Sequence, residues 1–541
     1  MGVTPASDSP PSTPPPANPE SGGRFALLVA TGIFLSRIAG LVRQRVFAFY
    51  FGNSAAADAF SAAFRIPNLL QNLFGEGVLS ASFIPVYARL LARDDRDEAR
   101  RLAGGVLALL ALVTSVLVLL GVLATPLLID LIAPGFTGAK RELTIRLVRI
   151  FFPGAGLLVL SAWCLGILNS HRHFFLSYAA PVIWNAAIVA ALLLGGTRLG
   201  QESLAITAAW ASVGGSLLQI LVQLPTVRAV LGRIPLTNGL TSEHLRTVTR
   251  NFVPVFVSRG IVQISAYIDQ LLASLLPTGA VAALYYAQIL YTLPVSLFGM
   301  AVSAAELPAM SSALGDQRAV AEHLRARLTS GLRRIALFVV PSAVAFLALG
   351  DVVAGTLYET GSFTRADSLY VWGILAGSAI GLLPATLGRL YASTFYALHD
   401  TRTPFRFALV RVVLTSGLGY LAALHVPGML GIAARWGAAG ITLASGVAAW
   451  IELVLLRRAL SNRIGAAPGS TGHLLRLWVA AGAAAAAGWG IRLALPLGLH
   501  PVLSGAAILG VFGVFYFVLA AALGVEDAAA ILRRGIRRPS R

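Results

Sequence analysis

The chain lacks the charge that a soluble protein of its size would carry. Only 12% of its 541 residues are charged, whereas soluble proteins carry roughly a quarter. Hydrophobic residues make up 57% of the chain, and the mean hydropathy is +0.77. The composition therefore excludes a soluble globular protein and predicts a chain that lies mostly within a lipid bilayer.

Cysteine and lysine are almost absent as well. Cys164 is the only cysteine, which excludes an internal disulfide, and its apolar surroundings are typical of a packed core. No CxxC, HExxH or histidine cluster is present, so neither a metal site nor a cofactor is predicted. The net charge of +19 comes from arginine, because Lys140 is the sole lysine. These arginines stand between apolar runs, which favours membrane lipids over nucleic acid as partners.

The first 23 residues are rich in proline, serine and glycine and predict a disordered tail (1–23) without the pattern of a signal peptide. About fourteen apolar runs follow, each long enough to span a bilayer. Backbone groups in hydrocarbon must be satisfied internally, so these continuously apolar runs are predicted to be helices rather than strands of a barrel. They lie near 25–51, 55–87, 102–132, 146–169, 174–196, 203–230, 250–276, 280–311, 332–357, 367–397, 405–424, 430–457, 474–495 and 500–524.

Arginine is concentrated in every second loop between these runs, which predicts the orientation in the membrane. The rich segments are 89–101, 228–250, 318–334, 457–476 and the C-terminal tail 533–541. The alternate loops are poor in arginine, and the loop with Lys140 and Arg141 is the one mild exception. Because cytoplasmic loops carry the positive excess, both termini are predicted to be cytoplasmic.

Two stretches of the chain match weakly, about 220 residues apart, as internal repeats of transporters do. FLSR (34–37) and LFGEGVLSASFIP (73–85) correspond to FVSR (256–259) and LFGMAVSAAELP (297–308). The copies fall on predicted helices 1–2 and 7–8, and this even offset predicts two parallel six-helix repeats followed by two added helices. Chance similarity between Leu-, Phe- and Gly-rich helices is the alternative explanation.

Several ionisable residues fall inside the predicted spans, where they are costly and usually face a cavity. They are Arg37, Arg43 and Arg45 in helix 1, Asp58, Arg65 and Glu76 in helix 2, and Arg259 and Asp269 in helix 7. Asp58 and Glu76 can be explained as structural ion pairs, but the arginines outnumber the acids. Because the planar guanidinium matches phosphate oxygens, we predict that Arg37, Arg43, Arg65 and Arg259 bind an anionic substrate. Arg45 is expected to reach the membrane interface, and Pro67, Pro294 and Pro308 are expected to mark bends.

The stretch from LSRIAGLVRQ to ADAFSAAFRIPNLLQNLFGEGVLSASFIPVYARL (35–90) resembles the signature of the MurJ/MviN family of lipid II flippases. The resemblance continues through APGF (133–136), YYAQILYTLP (285–294) and TRTP (401–404), over nearly the whole chain after the tail. It implies the MOP exporter fold, an all-α integral membrane protein with two six-helix lobes around a central cavity. The implied division is an N-lobe (24–232), a C-lobe (233–460), helices 13–14 (461–525) and a basic tail (526–541).

The resemblance also assigns individual residues. Ser36 and Arg37 match the family's cavity Ser-Arg pair, Arg43 its second helix 1 arginine, Asp58 and Glu76 its helix 2 acids, and Pro67 and Asn68 its Pro-Asn pair. By this resemblance, Ser36, Asn68, Asp58 and Glu76 are also predicted to bind the substrate. Gln44, Gln71 and Ile289 stand where the family often has aspartate, arginine and arginine, so part of the anion site is missing and Arg259 is expected to compensate. Some relatives hold a cation through a helix 7 carboxylate, which Asp269 matches. Thr415 and Gly419, at the partner positions of helix 11, offer little ligand oxygen.

By resemblance, the substrate is lipid II, the undecaprenyl-diphosphate-linked peptidoglycan precursor. It is flipped outward by alternating access, and the cell-wall synthesis machinery is an expected partner. Another MOP transporter, such as a polysaccharide flippase, is the main alternative, whereas a drug exporter for cations would favour an acidic cavity. An intramembrane enzyme needs clustered acids or a base and nucleophile. Its nearest candidate, His399-Asp400, is more typical of a helix cap, so we predict a flippase and no enzyme.

Overall fold

The computed structural model describes residues 19–232, 243–311, 316–465, 471–496 and 498–536, and these ranges are helical, without a β-strand. The helices before residue 233, here called the first lobe, are α1 (Pro19–Phe51), α2 (Ala55–Phe74), α3 (Glu76–Ser82), α4 (Ile84–Ala92), α5 (Arg96–Leu123), α6 (Thr125–Ile132), α7 (Gly138–Ser170), α8 (Phe174–Gly195) and α9 (Gln201–Leu231).

The second lobe comprises α10 (Glu243–Ser274), α11 (Ala280–Pro294), α12 (Ala301–Ser311), α13 (Gln317–Ala348), α14 (Gly350–Tyr358), α15 (Arg365–Ala397), α16 (Arg402–Leu424), α17 (Val426–Met429) and α18 (Gly437–Ile464). The chain continues with α19 (Thr471–Ala494), α20 (Pro501–Ala522) and α21 (Glu526–Ile536).

Within the described ranges, eleven helices are long and apolar enough to cross a membrane. They are α5, α7, α8, α9, α11 continued by α12, α13, α15, α16, α18, α19 and α20. The chain is therefore a multi-pass membrane protein. The predicted helices 1, 2 and 7 correspond to α1, α2–α4 and α10, which carry the intramembrane charges; that these also cross the membrane stays a prediction.

The ends of several predicted runs differ from the helices that form. α1 begins at Pro19, inside the tail that was expected to be disordered. The run 55–87 is divided at Gly75 and again at Phe83, and the runs 102–132 and 332–357 are divided at Ala124 and Leu349. Pro85 and Pro126 lie in the first turns of the helices that restart, where the missing N–H is harmless.

Of the three prolines expected to mark bends, Pro294 has the clearest effect. Residues Val295–Met300 between α11 and α12 form a π-helical turn, because proline removes a backbone donor from the ladder. α2 and α12 continue through Pro67 and Pro308, and the interruption near Pro67 comes at Gly75 instead.

Each lobe packs around its own central helices, and one hydrophobic cluster continues from the first lobe into the second. In the first, α7 packs against α2, α5 and α9, and α8 packs against α1 and α9. In the second, α15 and α16 pack against α18, and α13 packs against α15. α10 contacts both α16 of its own lobe and α2 and α3 of the first lobe, so it lies between the two.

Two turns support the predicted repeat. In the α7–α8 turn, Arg172 has φ 64° and the N–H of His173 donates to Leu168 O at 2.8 Å. In the α15–α16 turn, His399 has φ 58° and the N–H of Asp400 donates to Phe395 O at 2.9 Å. The same left-handed helix end occurs at Asp94 in the α4–α5 turn (φ 56°), so only the positions of the first two turns bear on the repeat. The turns lie six predicted helices apart, as parallel repeats require.

The two added helices are attached to the second lobe. The indole of Trp489 in α19 donates to Ala348 O at 3.0 Å, and the hydroxyl of Tyr516 in α20 donates to Leu337 O at 2.6 Å. Arg492, at the end of α19, forms an ion pair with Asp351 of α14 at 3.0 Å. These contacts join α19 and α20 to α13 and α14 along their length.

Candidate substrate site between the lobes

Arg43 lies half-buried in the middle of the helices that it contacts, against aromatic rings rather than a carboxylate. Its guanidinium carbon is 4.9 Å from the ring centre of Trp184 in α8 and 5.5 Å from that of Phe64 in α2. The Trp184 indole donates to the carbonyl and hydroxyl oxygens of Ser212, both at 3.1 Å, which fixes its ring. Aromatic faces attract a cation, but they do not neutralise its charge.

A small cavity adjoins this arginine at the boundary of the lobes. It measures about 10 Å³, enough for one water molecule. Its walls come from α1, α2, α8 and, across the boundary, α11: Arg43, Gln44, Phe47, Phe60, Phe64, Ile188 and Tyr285. The amide nitrogen of Gln44 is buried without a partner among the described residues. The site is therefore positively charged and incompletely satisfied.

The other predicted substrate residues that the structure describes lie on α1 and α2 and differ in exposure. Arg37 is exposed on α1, and Ser36 beside it is half-buried. Arg65 and Asn68 are half-buried on α2, and the carbonyl of Arg65 accepts a hydrogen bond from the Tyr267 hydroxyl of α10 at 2.9 Å. Arg37 and Arg65 have no ion pair within the described residues. The side chains of Arg259 and Glu76 lie outside the part of the chain that the structure describes.

Asp58 occupies a different position, at the end of the molecule where the α1–α2 turn meets α11. Its side chain is almost fully buried, and its two oxygens accept from the N–H groups of Gly279 at 2.8 Å and Ala282 at 2.9 Å. The first N–H groups of a helix have no partner within it, so a carboxylate there both bonds and complements the helix dipole. Asp58 thus caps α11 of the second lobe from the first lobe.

Lys140 completes this arrangement. Its ammonium lies 3.2 Å from Asp58 Oδ2 and 3.4 Å from the Thr278 hydroxyl of the second lobe. Gly279 has φ 96°, a conformation that favours glycine, and a Cβ there would lie 2.7 Å from Asn53 O. The sole lysine of the chain and the LPTGA loop therefore belong to one contact between the lobes.

Arg45 forms a second contact of this kind, with protein carbonyls at the end of a helix; that it lies at the membrane interface stays a prediction. Its guanidinium donates to Thr356 O at 2.9 Å and Leu357 O at 2.8 Å, in the last turn of α14. The terminal carbonyls of a helix carry partial negative charge and lack helical partners, so they attract a cation.

Neighbouring contacts close the same end of the molecule. Asn53 donates to Asp367 Oδ1 at 3.0 Å, and the Tyr286 hydroxyl donates to Gly52 O at 3.0 Å. The N–H of Ser362 donates to Phe49 O at 2.7 Å. We call these contacts, with those of Asp58, Lys140 and Arg45, the inter-lobe seal. In it, each charged side chain from the first lobe is matched to a protein group.

The candidate cation residues lie in the second lobe. Asp269 Oδ1 and Thr415 Oγ1 are buried without hydrogen-bond partners among the described residues, as are both amide atoms of Gln270. A methyl group at Gly419 would lie 3.1 Å from Leu272, so α10 and α16 are in close contact one turn away from Asp269 and Thr415. Unpaired carboxylate and hydroxyl oxygens suit a hard cation. Arg411, one turn before Thr415, is paired with Glu452 at 3.0 Å.

The turn with His399 and Asp400 is a helix cap, as predicted. Asp400 accepts from the N–H groups of Arg402 and Thr403, both at 3.0 Å, and from the Thr403 hydroxyl at 2.7 Å. The Thr403 hydroxyl, with these N–H groups and Arg463, holds the pKa of Asp400 below its ordinary value. The carboxylate is occupied by structural bonds.

Sequence reasoning missed Trp184, Arg45 and Lys140. Trp184 was not selected because apolar helices contain many aromatic residues, and the contacts of Arg45 and Lys140 were not predicted because their partners lie far away along the chain. Lys140 did carry a signal, since it is the only lysine and lies in the one loop that departs from the arginine pattern.

Two helical lobes with a charged point between them match the fold of solved membrane proteins of the MOP type. A solved multidrug-resistance transporter of the MOP superfamily, in an inward-facing conformation, matches at a TM-score of 0.64 with 18% identity, covering 81% of this chain and 98% of that chain. A solved lipid II flippase MurJ, in an inward closed conformation, matches at 0.74 with 23% identity, covering 92% and 99%. At these identities, the matches establish the fold.

Sequence comparison identifies the family. The model of the family "Lipid II flippase MurJ" matches residues 47–503, so the chain belongs to the MurJ family. It is 33% identical to lipid II flippase MurJ of Burkholderia cenocepacia, over 81% of this chain and 84% of that protein. It is 32% identical to the probable lipid II flippase MurJ of Rhizobium tropici, over 93% and 94%. The predicted family and the predicted all-helical membrane fold are thus confirmed.

Proposed function

We propose that this protein flips lipid II, the diphosphate-linked peptidoglycan precursor, from the cytoplasmic to the periplasmic leaflet of the bacterial inner membrane. Membership of the MurJ family supports this function, since its curated relatives are described as lipid II flippases. Enzymes of cell-wall synthesis would consume the flipped precursor.

The observation that carries the proposal is the state of Arg43. Among the described residues, the half-buried guanidinium of Arg43 meets aromatic faces and no carboxylate, so its charge has no protein counter-ion there. In a low-dielectric environment, such a charge favours an anion strongly, and guanidinium bonds to phosphate are among the stronger polar contacts in proteins. The diphosphate of lipid II supplies this anion, and Arg37 on the same helix is placed to receive it on entry.

The inter-lobe seal supports alternating access. It lies at the α1–α2 turn, whereas the arginine-rich segment 89–101 follows α4 at the opposite end of the first lobe. With the arginine-rich loops and both termini in the cytoplasm, the seal closes the periplasmic side. Release of the substrate then requires Asp58 and Arg45 to leave the helix ends that they cap, and the lobes to rotate apart.

The membrane potential assists this direction of transport. An anion that moves from a negative interior to the outside gains about 2.3 kcal/mol per charge for each 100 mV. The membrane potential, acting on the negative charge of the diphosphate, thus supplies part of the driving force for transport.

The test is a flipping assay in proteoliposomes with defined lipids. We expect the wild-type protein to translocate lipid II and to leave an undecaprenyl-diphosphate oligosaccharide without the peptide largely in place. Arg43→Ala and Arg37→Ala should each abolish translocation while the protein still inserts and folds. Equal transport of the oligosaccharide would point to a polysaccharide flippase, and full activity of both variants would refute the anion-binding mechanism.

A cation at Asp269 and Thr415 is a separate part of the proposal, supported by their buried unpaired oxygens. We expect sodium ions to raise the thermal stability of the wild-type protein and to have no effect on Asp269→Asn. Potassium at the same ionic strength is the control, because general screening would act in the same way with either salt.

A further inference from the structure

α7 is the central helix of the first lobe, but one of its faces is open and charged. In the most apolar 18-residue stretch of α7, 78% of the residues are buried, a larger share than in the same stretch of the other described membrane helices. Beyond its first turn, the exposed residues in the first half of α7 are Glu142, Arg146, Arg149 and Pro153, which follow one another at helical spacing. Because α7 is otherwise mostly buried, we expect this exposed charged stripe to face a defined binding environment rather than ordinary protein surface.

The neighbours of α7 show where this stripe points. Phe151 packs edge-on against Phe60 and Phe64 of α2, with ring centres 5.2 and 5.4 Å apart. Arg146 and Arg149 lie about 140° and 200° around the helix from Phe151, so they point away from α2 and from the substrate site.

The two flanks are formed by α5 with α6 and by α9. A methyl group at Gly121 of α5 would overlap the Phe152 ring, and one at Gly154 would lie 3.4 Å from Val213 of α9. The stripe is therefore the floor of a shallow groove on the outer surface of the first lobe.

The walls of this groove have the character of a membrane interface. Leu127 and Leu131 of α6 are 71% and 65% exposed, which is typical of side chains in contact with lipid. Trp210, one turn before Val213 on α9, is 58% exposed, and tryptophan is enriched at the level of lipid headgroups. The arginines precede the most apolar part of α7, at the same end as the inter-lobe seal.

Other basic residues at this end of α7 have protein partners, but Arg146 and Arg149 have none among the described residues. Lys140 pairs with Asp58, and Arg141 forms a two-bond ion pair with Asp130 at 2.8 and 2.9 Å. No described residue forms an ion pair or hydrogen bond with the side chain of Arg146 or Arg149, and Glu142 on the same stripe is beyond ion-pair distance. Two adjacent guanidinium groups at a membrane surface are complementary to a phosphate.

We propose that Arg146 and Arg149 bind the phosphate of an anionic phospholipid, whose acyl chains lie in the groove between α6 and α9. In the orientation proposed above, this lipid belongs to the outer leaflet. The site lies on the opposite side of α7 from Arg43, so it holds a structural lipid and not the transported substrate.

The test is native mass spectrometry of the full-length protein titrated with phosphatidylglycerol or phosphatidylcholine. The double variant R146Q/R149Q should bind phosphatidylglycerol about thirtyfold more weakly, because each arginine near a membrane surface contributes roughly a fivefold factor. R198Q removes an exposed arginine in the α8–α9 loop and should change the affinity less than twofold. R146K/R149K keeps the charge and should retain most of the binding.

Unchanged affinity in the double variant would overturn the proposal, because the arginines would then simply extend to water. Equal binding of phosphatidylcholine would overturn the selectivity for an anionic lipid. Displacement of phosphatidylglycerol by glycerol 3-phosphate at matched concentration would overturn the proposal that the ligand is a lipid. It would show that the two arginines form a site for a free phosphate. Gel filtration and thermal unfolding of each variant show whether the fold is retained.

Discussion

The inter-lobe seal and the Arg43 site use similar side chains in opposite ways. In the seal, Asp58 meets the start of α11 and Arg45 meets the end of α14, so each charge is matched by the protein. At the candidate substrate site, Arg43 has aromatic rings on two sides and no carboxylate among the described residues. A charge that is paired with a protein group stabilises one conformation. A charge without such a partner can still bind an oppositely charged ligand.

The largest expected effect is the loss of the unmatched charge. Arg43→Ala should reduce lipid II flipping at least a hundredfold, since about 3 kcal/mol is typical for removal of one partner from a desolvated charged contact. Arg43→Lys should retain part of the activity, because lysine keeps the charge but loses the planar stacking on Trp184. The flipping assay measures both, with Arg198→Ala as the control. Wild-type activity in Arg43→Ala would remove the contrast between the two regions.

Asp58→Asn tests the matched side of the comparison. The amide accepts fewer hydrogen bonds and carries no charge for Lys140, so the sealed conformation should lose about 1–3 kcal/mol relative to the open one. Spin labels placed across the seal should then show a larger open population. Asp130→Asn is the matched control, because Asp130 pairs with Arg141 within the first lobe. An equal shift in both variants would mean that Asp58 does not act through the seal.

Arg45→Met should act in the same direction with a smaller effect. The contact of a cation with the end of a helix contributes about 0.3–2 kcal/mol, less than a buried carboxylate with three donors. The same spin-label distances measure the shift, and the variant should still bind lipid II. A larger opening than in Asp58→Asn would reverse the order of importance within the seal.

The smallest expected effect concerns a charge that belongs to neither region. Asp400→Ala removes the cap of α16 and should lower stability by about 1 kcal/mol, with flipping and lobe distances unchanged. The pKa of Asp400 is below its ordinary value, so this stabilisation is present at neutral pH. It is lost only as the pH falls through the depressed pKa, below about 4. Thermal unfolding of wild type and variant at pH 7 and pH 3 checks the difference.

The membrane fold was readable from the chain because its signals are local. Long apolar runs, alternating arginine-rich loops and the repeated FLSR/FVSR and LFG motifs require no knowledge of distant contacts. The helix breaks at Gly75 and Ala124 were missed, since an apolar run continues across a break without a change in composition.

The site was predictable only in part. Arg37 and Arg43 could be selected because a charge inside an apolar run is costly wherever it lies. Arg45 was assigned to the interface, because nothing in its own neighbourhood reveals that the carbonyls of Thr356 and Leu357 lie beside it.

The sequence by itself determined that this chain enters the membrane and that it places more positive than negative charge there. Only the tertiary structure decided which of these charges are neutralised. Electrostatic pairing depends on distances of a few ångströms between residues such as Asp58 and Gly279, which are brought together only when the two halves pack.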